Sequence, residues 1–240
     1  MQEINAETRR EALPWDGDSV VEFFLEAHPS FLYREQFAQL FIEAYHAFLA
    51  GCPRASIIVA GEALLRAIYD QIIRHVQNGD SIVVGDRRSP RPLTRETSTE
   101  KLFRLTDEVN FCQAINALEE TKAYPDNVIS CMRVIKNLRN AAAHGEMPLL
   151  DQWDPDDPRP PEELKKILCT RDFEFPEGYR FLLSKQQKEW FTFDLRKYKC
   201  KSLKSLDTDE RFAAIQYLLV LEVLEKMRAS TEPPSGSRPE

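Results

Sequence analysis

Long apolar runs are missing from this sequence. No stretch approaches the roughly 20 apolar residues that span a bilayer, and the mean hydropathy is −0.45. The first ten residues are polar and lack the apolar core of a signal peptide. We therefore expect a cytoplasmic protein that makes no membrane contact.

Motifs that bind common cofactors are missing too. The 8 glycines form no phosphate-binding P-loop, no dinucleotide fingerprint and no nucleophile elbow. The 5 cysteines are scattered without a C-x-x-C pair, which is typical of reduced thiols and not of a zinc site. We predict no metal ion and no cofactor.

The sequence also lacks a surplus of positive charge. It has 32 lysines and arginines against 39 aspartates and glutamates, so its formal net charge is −7. A protein that coats nucleic acid is usually basic. Any contact with nucleic acid must therefore be confined to a local site.

Helical periodicity dominates what remains. Apolar residues recur every three or four positions in four segments, which predicts four amphipathic helices. These segments are residues 37–48, 57–72, 102–118 and 128–142. Gly51 and Pro53 separate the first two helices, and Thr97 with Glu100 predicts a capping box before the third.

The last apolar segment, residues 212–227, is apolar on more than one face. We expect it at the centre of the helical bundle or in a subunit interface. Asp207 and Glu210 predict its N-terminal cap. By contrast, residues 78–98 are rich in glycine, proline and arginine, which predicts a polar loop.

Composition divides the chain into four parts: an N-terminal arm, an all-α antiparallel bundle in two pieces, an insertion before the last helix, and a disordered tail. In that order they are residues 1–30, 31–146 with 208–229, 147–207, and 230–240. The arm contains a candidate short helix from Val20 to Ala27. Strand-like segments that begin at Tyr179 and Glu189 predict a small β-hairpin in the insertion.

Four polar residues of the fourth bundle helix are spaced four, three and four positions apart, which places them on one side of that helix. They are Arg133, Asn137, Asn140 and His144. Lys136 adds positive charge nearby. The helix therefore combines an apolar packing face with a local polar face.

Arg139 lies outside this polar face. Five residues separate it from His144, which is about 140° of rotation on a regular helix. Either the backbone breaks near Gly145 and Pro148, or a functional site takes groups from two copies of the chain. The three alanines between Arg139 and His144 leave a shallow surface that a phosphate or a partner helix can approach.

The segment R-N-A-A-A-H-G, which begins at Arg139, resembles the signature of the HEPN superfamily. That signature is an Arg followed several residues later by a His, often with a polar residue directly after the Arg. The Ala-rich segment from Pro53 through Ile68 is similar to the second helix of bacterial HEPN-like domains. The resemblance covers the two pieces of the bundle, not the insertion, and implies a HEPN-like fold.

Many HEPN proteins are metal-independent endoribonucleases that act as homodimers, and the resemblance implies this activity here. His144 would be base or acid in an attack by the RNA 2′-hydroxyl. Arg139 would stabilise charge on the phosphate, and Asn140 would position the phosphate or the imidazole. Supporting or RNA-binding roles are implied for Arg133, Lys136, Asn137 and Glu62. For Glu62, an exposed position or an ion pair with Arg66 is the structural alternative.

The resemblance leaves a second function open. HEPN-like folds also serve as catalytically silent modules for dimerisation or partner binding, and the insertion and acidic charge favour this alternative. An active chain would be a prokaryotic defence or toxin effector, with RNA, a second copy and an antitoxin or defence-system protein as partners. HEPN toxins that a nucleotidyltransferase silences carry Tyr two residues after the His, whereas this chain has Glu146. We therefore expect no silencing by modification at that position.

Overall fold

The computed structural model describes residues 6–13, 34–86, 88–104, 108–145, 172–174, 179–182, 191–193 and 206–231. The predicted helix from Val20 to Ala27, most of the insertion and nearly all of the predicted tail lie outside these residues. Helices predominate in the described part, which confirms the all-α class. None of the described helices is long and apolar enough to cross a membrane.

The described residues form helices and short strands. The helices are α1 (Ala6–Ala12), α2 (Arg34–Leu49), α3 (Pro53–Gln77), α4 (Thr99–Phe103), α5 (Phe111–Thr121), α6 (Asp126–His144) and α7 (Thr208–Thr231). The strands are β1 (Ile82–Asp86), β2 (Ser89–Leu93), β3 (Asp172–Glu174), β4 (Tyr179–Leu182) and β5 (Phe191–Phe193).

Helices α2, α3, α6 and α7 form the core of the bundle. Helix α3 runs antiparallel to α6, because Gly61 meets Arg139 towards one end and the Tyr124 hydroxyl donates to Gln71 Oε1 at 3.0 Å near the other. Pro53 is the first residue of α3, as predicted. The C-terminal end of α6 therefore lies at the same end of the bundle as the N-terminal end of α3.

Helix α7 lies at the centre of this core. Its residues from Glu210 to Leu224 are all buried, and Phe41 of α2 stacks on Tyr217 with ring centroids 4.2 Å apart. The predicted cap is confirmed, because the Glu210 backbone N–H donates to Asp207 Oδ1 at 2.8 Å. Burial on every face explains why the α7 sequence shows no single apolar stripe.

The predicted N-terminal arm differs from the observed structure, because residues 6–12 are helical. Arg9 of α1 forms an ion pair with the buried Glu210, at 2.5 Å between Nη2 and Oε1, and its Nη1 donates to the Leu49 carbonyl at 3.3 Å. Leu13 is buried. Helix α1 therefore attaches to the ends of α2 and α7.

The segment predicted as a polar loop, residues 78–98, contains the antiparallel hairpin β1–β2. Gly85 pairs with Pro90, and Val83 pairs with Pro92. A two-stranded ribbon has free outer edges where a proline need not donate a hydrogen bond, so these prolines are compatible with strand β2. Val84 and Leu93 are buried and attach the hairpin to the helices.

The third predicted bundle helix is divided into α4 and α5. Asn110 and Gln113 form a capping box, with the Asn110 side chain accepting from the Gln113 N–H at 3.1 Å. This cap begins α5 as a helix separate from α4. The N-cap of α4 is Ser98, not the predicted Thr97, whose hydroxyl instead accepts from the Thr94 N–H.

The insertion contains strands, as predicted. Strands β4 and β5 pair antiparallel, with Tyr179 opposite Phe193. Strand β3 adds a third, antiparallel neighbour to β4, which the sequence pattern did not indicate. Strand β5 approaches α6, so this strand lies beside the helix that carries the R-N-x-x-x-H segment.

Candidate active site

Helix α6 is continuous through the R-N-x-x-x-H segment. It ends at Gly145, whose φ of +69° is the left-handed conformation that glycine tolerates. The Gly145 N–H donates to the carbonyls of Ala141 and Ala142, which is a common way to close a helix. Of the two sequence-based alternatives, a backbone break before His144 is therefore excluded.

Arg139 is held against helix α3. Its Nη2 forms an ion pair with Glu62 Oε1, and its Nη1 donates to Asn140 Oδ1 at 3.0 Å. The two side chains of the ion pair remain 31% and 24% exposed, so the pair lies at the edge of the bundle and not in its core. Glu62 and Asn140 therefore orient Arg139 at the surface between α3 and α6.

Gly61 allows this arrangement. A Cβ atom at position 61 would lie only 2.8 Å from both Cβ and Cγ of Arg139, a separation that real side chains do not adopt. The stem of Arg139 therefore crosses α3 where that helix has no side chain. The sequence showed Gly61 within an apolar stripe, without indicating what packs on it.

Glu62 does not form the ion pair with Arg66 that was the structural alternative. The Arg66 guanidinium instead lies over the Tyr69 ring, 5.9 Å from its centroid. Glu62 and Arg139 are 77 positions apart in sequence. Helical spacing therefore favoured the wrong partner, because it compares only neighbours within one helix.

His144 is exposed in the last turn of α6. A helix C-terminus favours a nearby positive charge, because the last carbonyl groups carry partial negative charge. On an unbroken helix its side chain leaves about 140° from that of Arg139. The structure therefore presents the imidazole and the guanidinium from one helix but does not bring them together within the chain.

Arg133 is engaged with helix α5 and is not part of this cluster. Its Nη2 donates to Glu119 Oε2 at 2.7 Å and to Asn116 Oδ1 at 3.2 Å. The hydrogen bond from Arg133 lowers the pKa of Glu119 below its ordinary value. Arg133 therefore joins α5 to α6, and its supporting or RNA-binding role stays a prediction.

The two remaining predicted residues, Lys136 and Asn137, are half-buried on α6. They occupy the turn between Arg133 and Asn140, so the polar face predicted from the helical spacing does run along α6. Its two ends differ in what they contact. The Arg133 end contacts α5, whereas the end with Asn140 and His144 is available at the surface.

A cavity of about 640 Å³ lies elsewhere, between the β1–β2 hairpin and α4. Its lining includes Val84, Leu93 and Lys101. From Gly61 to its C-terminal end, helix α3 spans roughly 24 Å, and the hairpin follows that end. The cavity is therefore remote from Arg139.

No described group of three or more histidines, cysteines, aspartates or glutamates has the arrangement of a metal site. Comparison with known proteins adds no family assignment, because no family model, no curated protein and no solved structure matches this chain. We therefore infer a function from the chemistry and geometry of α3 and α6.

Proposed function

We propose that this chain is a HEPN-like, metal-independent endoribonuclease that uses Arg139, Asn140 and His144. One observation carries the proposal: an exposed imidazole and a part-exposed arginine with an oriented guanidinium extend from the same helix. These are the two groups that cleavage of RNA by its own 2′-hydroxyl requires, one to move protons and one to stabilise phosphate charge.

The reaction needs no nucleophile from outside the RNA. One His144 imidazole takes the proton of the 2′-hydroxyl, and O2′ forms a bond to the adjacent phosphorus while the bond from phosphorus to O5′ breaks. A protonated His144 imidazole gives its proton to O5′. The products are a 2′,3′-cyclic phosphate and a 5′-hydroxyl, and Arg139 stabilises the phosphorane between them.

The geometry of α6 favours a site shared by two copies. Within one chain, Arg139 and His144 diverge by about 140° and are separated by about 7.5 Å along the helix axis. In a two-fold homodimer that pairs the C-terminal ends of α6, His144 of one copy approaches Arg139 of the other. Both imidazoles then serve one cleft, as base and as acid.

Glu62 defines the resting state of Arg139 in this proposal. The terminal nitrogens of the guanidinium are occupied by the Glu62 carboxylate and the Asn140 amide. An RNA phosphate presents the same kind of oxygen acceptors. Substrate binding is therefore an exchange, in which the phosphate replaces Glu62 on the arginine.

The decisive test compares the intact protein with His144→Ala on RNA, each with and without EDTA. We expect the substitution to lower the cleavage rate about a thousandfold and EDTA to have no effect. Cleaved ends should carry a cyclic phosphate. Equal cleavage by the variant, or loss of cleavage with EDTA alone, would contradict the mechanism.

The biological role we propose is that of a prokaryotic defence or toxin effector, controlled by an antitoxin or defence-system partner. Expression of such an effector should arrest growth and reduce cellular RNA integrity. His144→Ala should relieve both effects. Growth arrest that persists in this variant with intact RNA would argue against the role.

A catalytically silent dimerisation or partner-binding module is the second candidate. The ion pair between Glu62 and Arg139 favours it, because a guanidinium already neutralised by a carboxylate can have a purely structural use. A protein that dimerises but cleaves no RNA, and whose cellular effect survives Arg139→Ala, would support this candidate over the ribonuclease.

A further inference from the structure

Helices α3, α6 and α7 meet around Gly61. A Cβ atom at position 61 would lie 2.8 Å from Arg139 Cγ and 3.6 Å from Gln216 Nε2. The stem of the candidate catalytic arginine and the amide of Gln216 therefore border the same small space, which exists because position 61 has no side chain.

Gln216 is a fully buried polar residue in an otherwise apolar part of α7. Its Nε2 donates to the carbonyl oxygen of Ile135 at 3.0 Å. In an α-helix that carbonyl also accepts the backbone N–H four residues later, which here belongs to Arg139. Gln216 therefore attaches α7 to the turn of α6 that carries Arg139.

Two polar atoms at this junction remain unmatched. Arg139 Nε and Gln216 Oε1 are both buried, and neither has a hydrogen-bond partner in the described part of the chain. Burial of an unpaired polar group is unfavourable, so such groups call for an explanation. One is a donor and the other an acceptor, and their side chains border the same space.

We propose that Gln216 is a positioning residue for Arg139 in the RNA-bound state. When a phosphate replaces Glu62 at Nη2, Arg139 Nε donates to Gln216 Oε1. This hydrogen bond fixes the plane of the guanidinium and leaves Nη2 for the phosphate, while Nη1 donates to Asn140. The inference rests on the proposed ribonuclease function and adds a residue outside the R-N-x-x-x-H segment.

The first test compares Gln216→Met with Gln71→Met. Methionine has a similar length and flexibility but lacks the amide, and Gln71 is a buried amide of α3 that bonds to Tyr124, away from Arg139. We expect both variants to lose similar thermal stability. Gln216→Met should also lower kcat for RNA cleavage about tenfold with little change in KM, because a displaced catalytic group slows chemistry. Gln71→Met should leave kcat unchanged.

The second test follows the Nε–H of Arg139 by nuclear magnetic resonance in a His144→Ala background, with the signal assigned by its loss in Arg139→Lys. Addition of a short random-sequence 2′-O-methyl RNA should shift this signal and slow its exchange with water. The change should disappear in Gln216→Met. If that variant does not fold, Gly61→Ala should displace Arg139 and give the same loss of kcat.

The possible outcomes separate the two proposals. Absence of RNA cleavage by the intact protein would overturn the ribonuclease function itself. Cleavage by the intact protein, with Gln216→Met equal to Gln71→Met in kcat and with an unchanged Arg139 signal on RNA binding, would overturn only the role of Gln216.

Discussion

At the residue scale, the proposed chemistry depends on the contacts of Arg139. The guanidinium bonds to Glu62 and Asn140, and its stem crosses Gly61. The sequence grouped Arg139, Asn140 and Glu62 as candidate site residues through their resemblance to HEPN helices, and the structure brings the three side chains into contact. The sequence could not identify Gln216, since a single glutamine within an apolar helix carries no sequence signal that separates a positioning role from ordinary burial.

Removal of the Glu62 charge should strengthen RNA binding. Without its carboxylate, Glu62→Gln no longer competes with phosphate for Arg139, and we expect the Kd for a short 2′-O-methyl RNA to fall about threefold, in line with a partly exposed ion pair. The binding would be measured in a His144→Ala background at fixed salt concentration.

Glu100→Gln is the matched control for this binding measurement. Glu100 is also a carboxylate paired with an arginine, Arg104, so its substitution changes the net charge equally, but it lies on α4. If both variants alter the Kd by the same factor, the effect comes from net charge and not from competition at Arg139. Weaker binding by Glu62→Gln would mean that Glu62 orients Arg139 in the bound state as well.

At the scale of elements, hydrophobic spacing predicted the main helices but not all of their boundaries. The apolar stripes of α2, α3 and α6 were sufficient to predict these three helices, because each of them buries one face. The prediction of a single third helix was wrong. The apolar spacing continues past Asn110, but the capping box of Asn110 with Gln113 begins a separate helix there. The prolines of β2 led to the prediction of a loop. A strand tolerates proline at a free edge, but which edge is free depends on the pairing of the strands, which the local sequence does not show.

The junction of α5 and α6 should respond to acid. Arg133 lowers the pKa of Glu119, so the carboxylate stabilises the folded protein above the ordinary glutamate pKa, and this stabilisation disappears as the pH falls through the lowered value. Glu119→Gln should reduce the free energy of unfolding by roughly 0.5 kcal/mol at neutral pH, because the pair is partly exposed.

Urea unfolding at neutral and acidic pH measures this effect. The difference between Glu119→Gln and the intact protein should vanish in acid. Glu120→Gln is the control, because Glu120 is exposed and lies one position along the same helix. It should lower the free energy of unfolding at neutral pH by less than Glu119→Gln. A difference for Glu119→Gln that persists unchanged in acid would contradict the assigned ion pair.

At the scale of the whole molecule, long-range contacts organise the end of the bundle that carries His144. Arg9 of α1 reaches Glu210 of α7 across 201 positions, and Arg54 of α3 pairs with Asp209 at 3.7 Å. No local pattern in the sequence indicates such contacts, which is why residues 6–12 were predicted as an arm. The central position of α7, in contrast, followed from its apolar residues on several faces.

Loss of the Arg9 contact should destabilise the whole bundle. Arg9→Met leaves the buried Glu210 carboxylate without its cation, and we expect the free energy of unfolding to fall by about 3 kcal/mol. Arg10→Met, an exposed neighbour on the same helix, should have little effect. Chemical unfolding measures both, and equal values for the two variants would show that α1 contributes no specific contact to stability.

The central claim is that Arg139 and His144 act together from two different copies of the chain. Arg139→Ala and His144→Ala would each be purified, mixed, unfolded together and refolded, and assayed for RNA cleavage. A mixture with the Arg139→Ala/His144→Ala double variant in place of His144→Ala is the control. A shared site predicts activity above that of either variant and of the control, but below roughly a quarter of the wild-type activity, because half of the dimers combine the variants and each of these brings one Arg139 and only one of the two imidazoles to the cleft. Activity no higher than that of either variant alone, from an intact protein that cleaves RNA, would contradict the shared site.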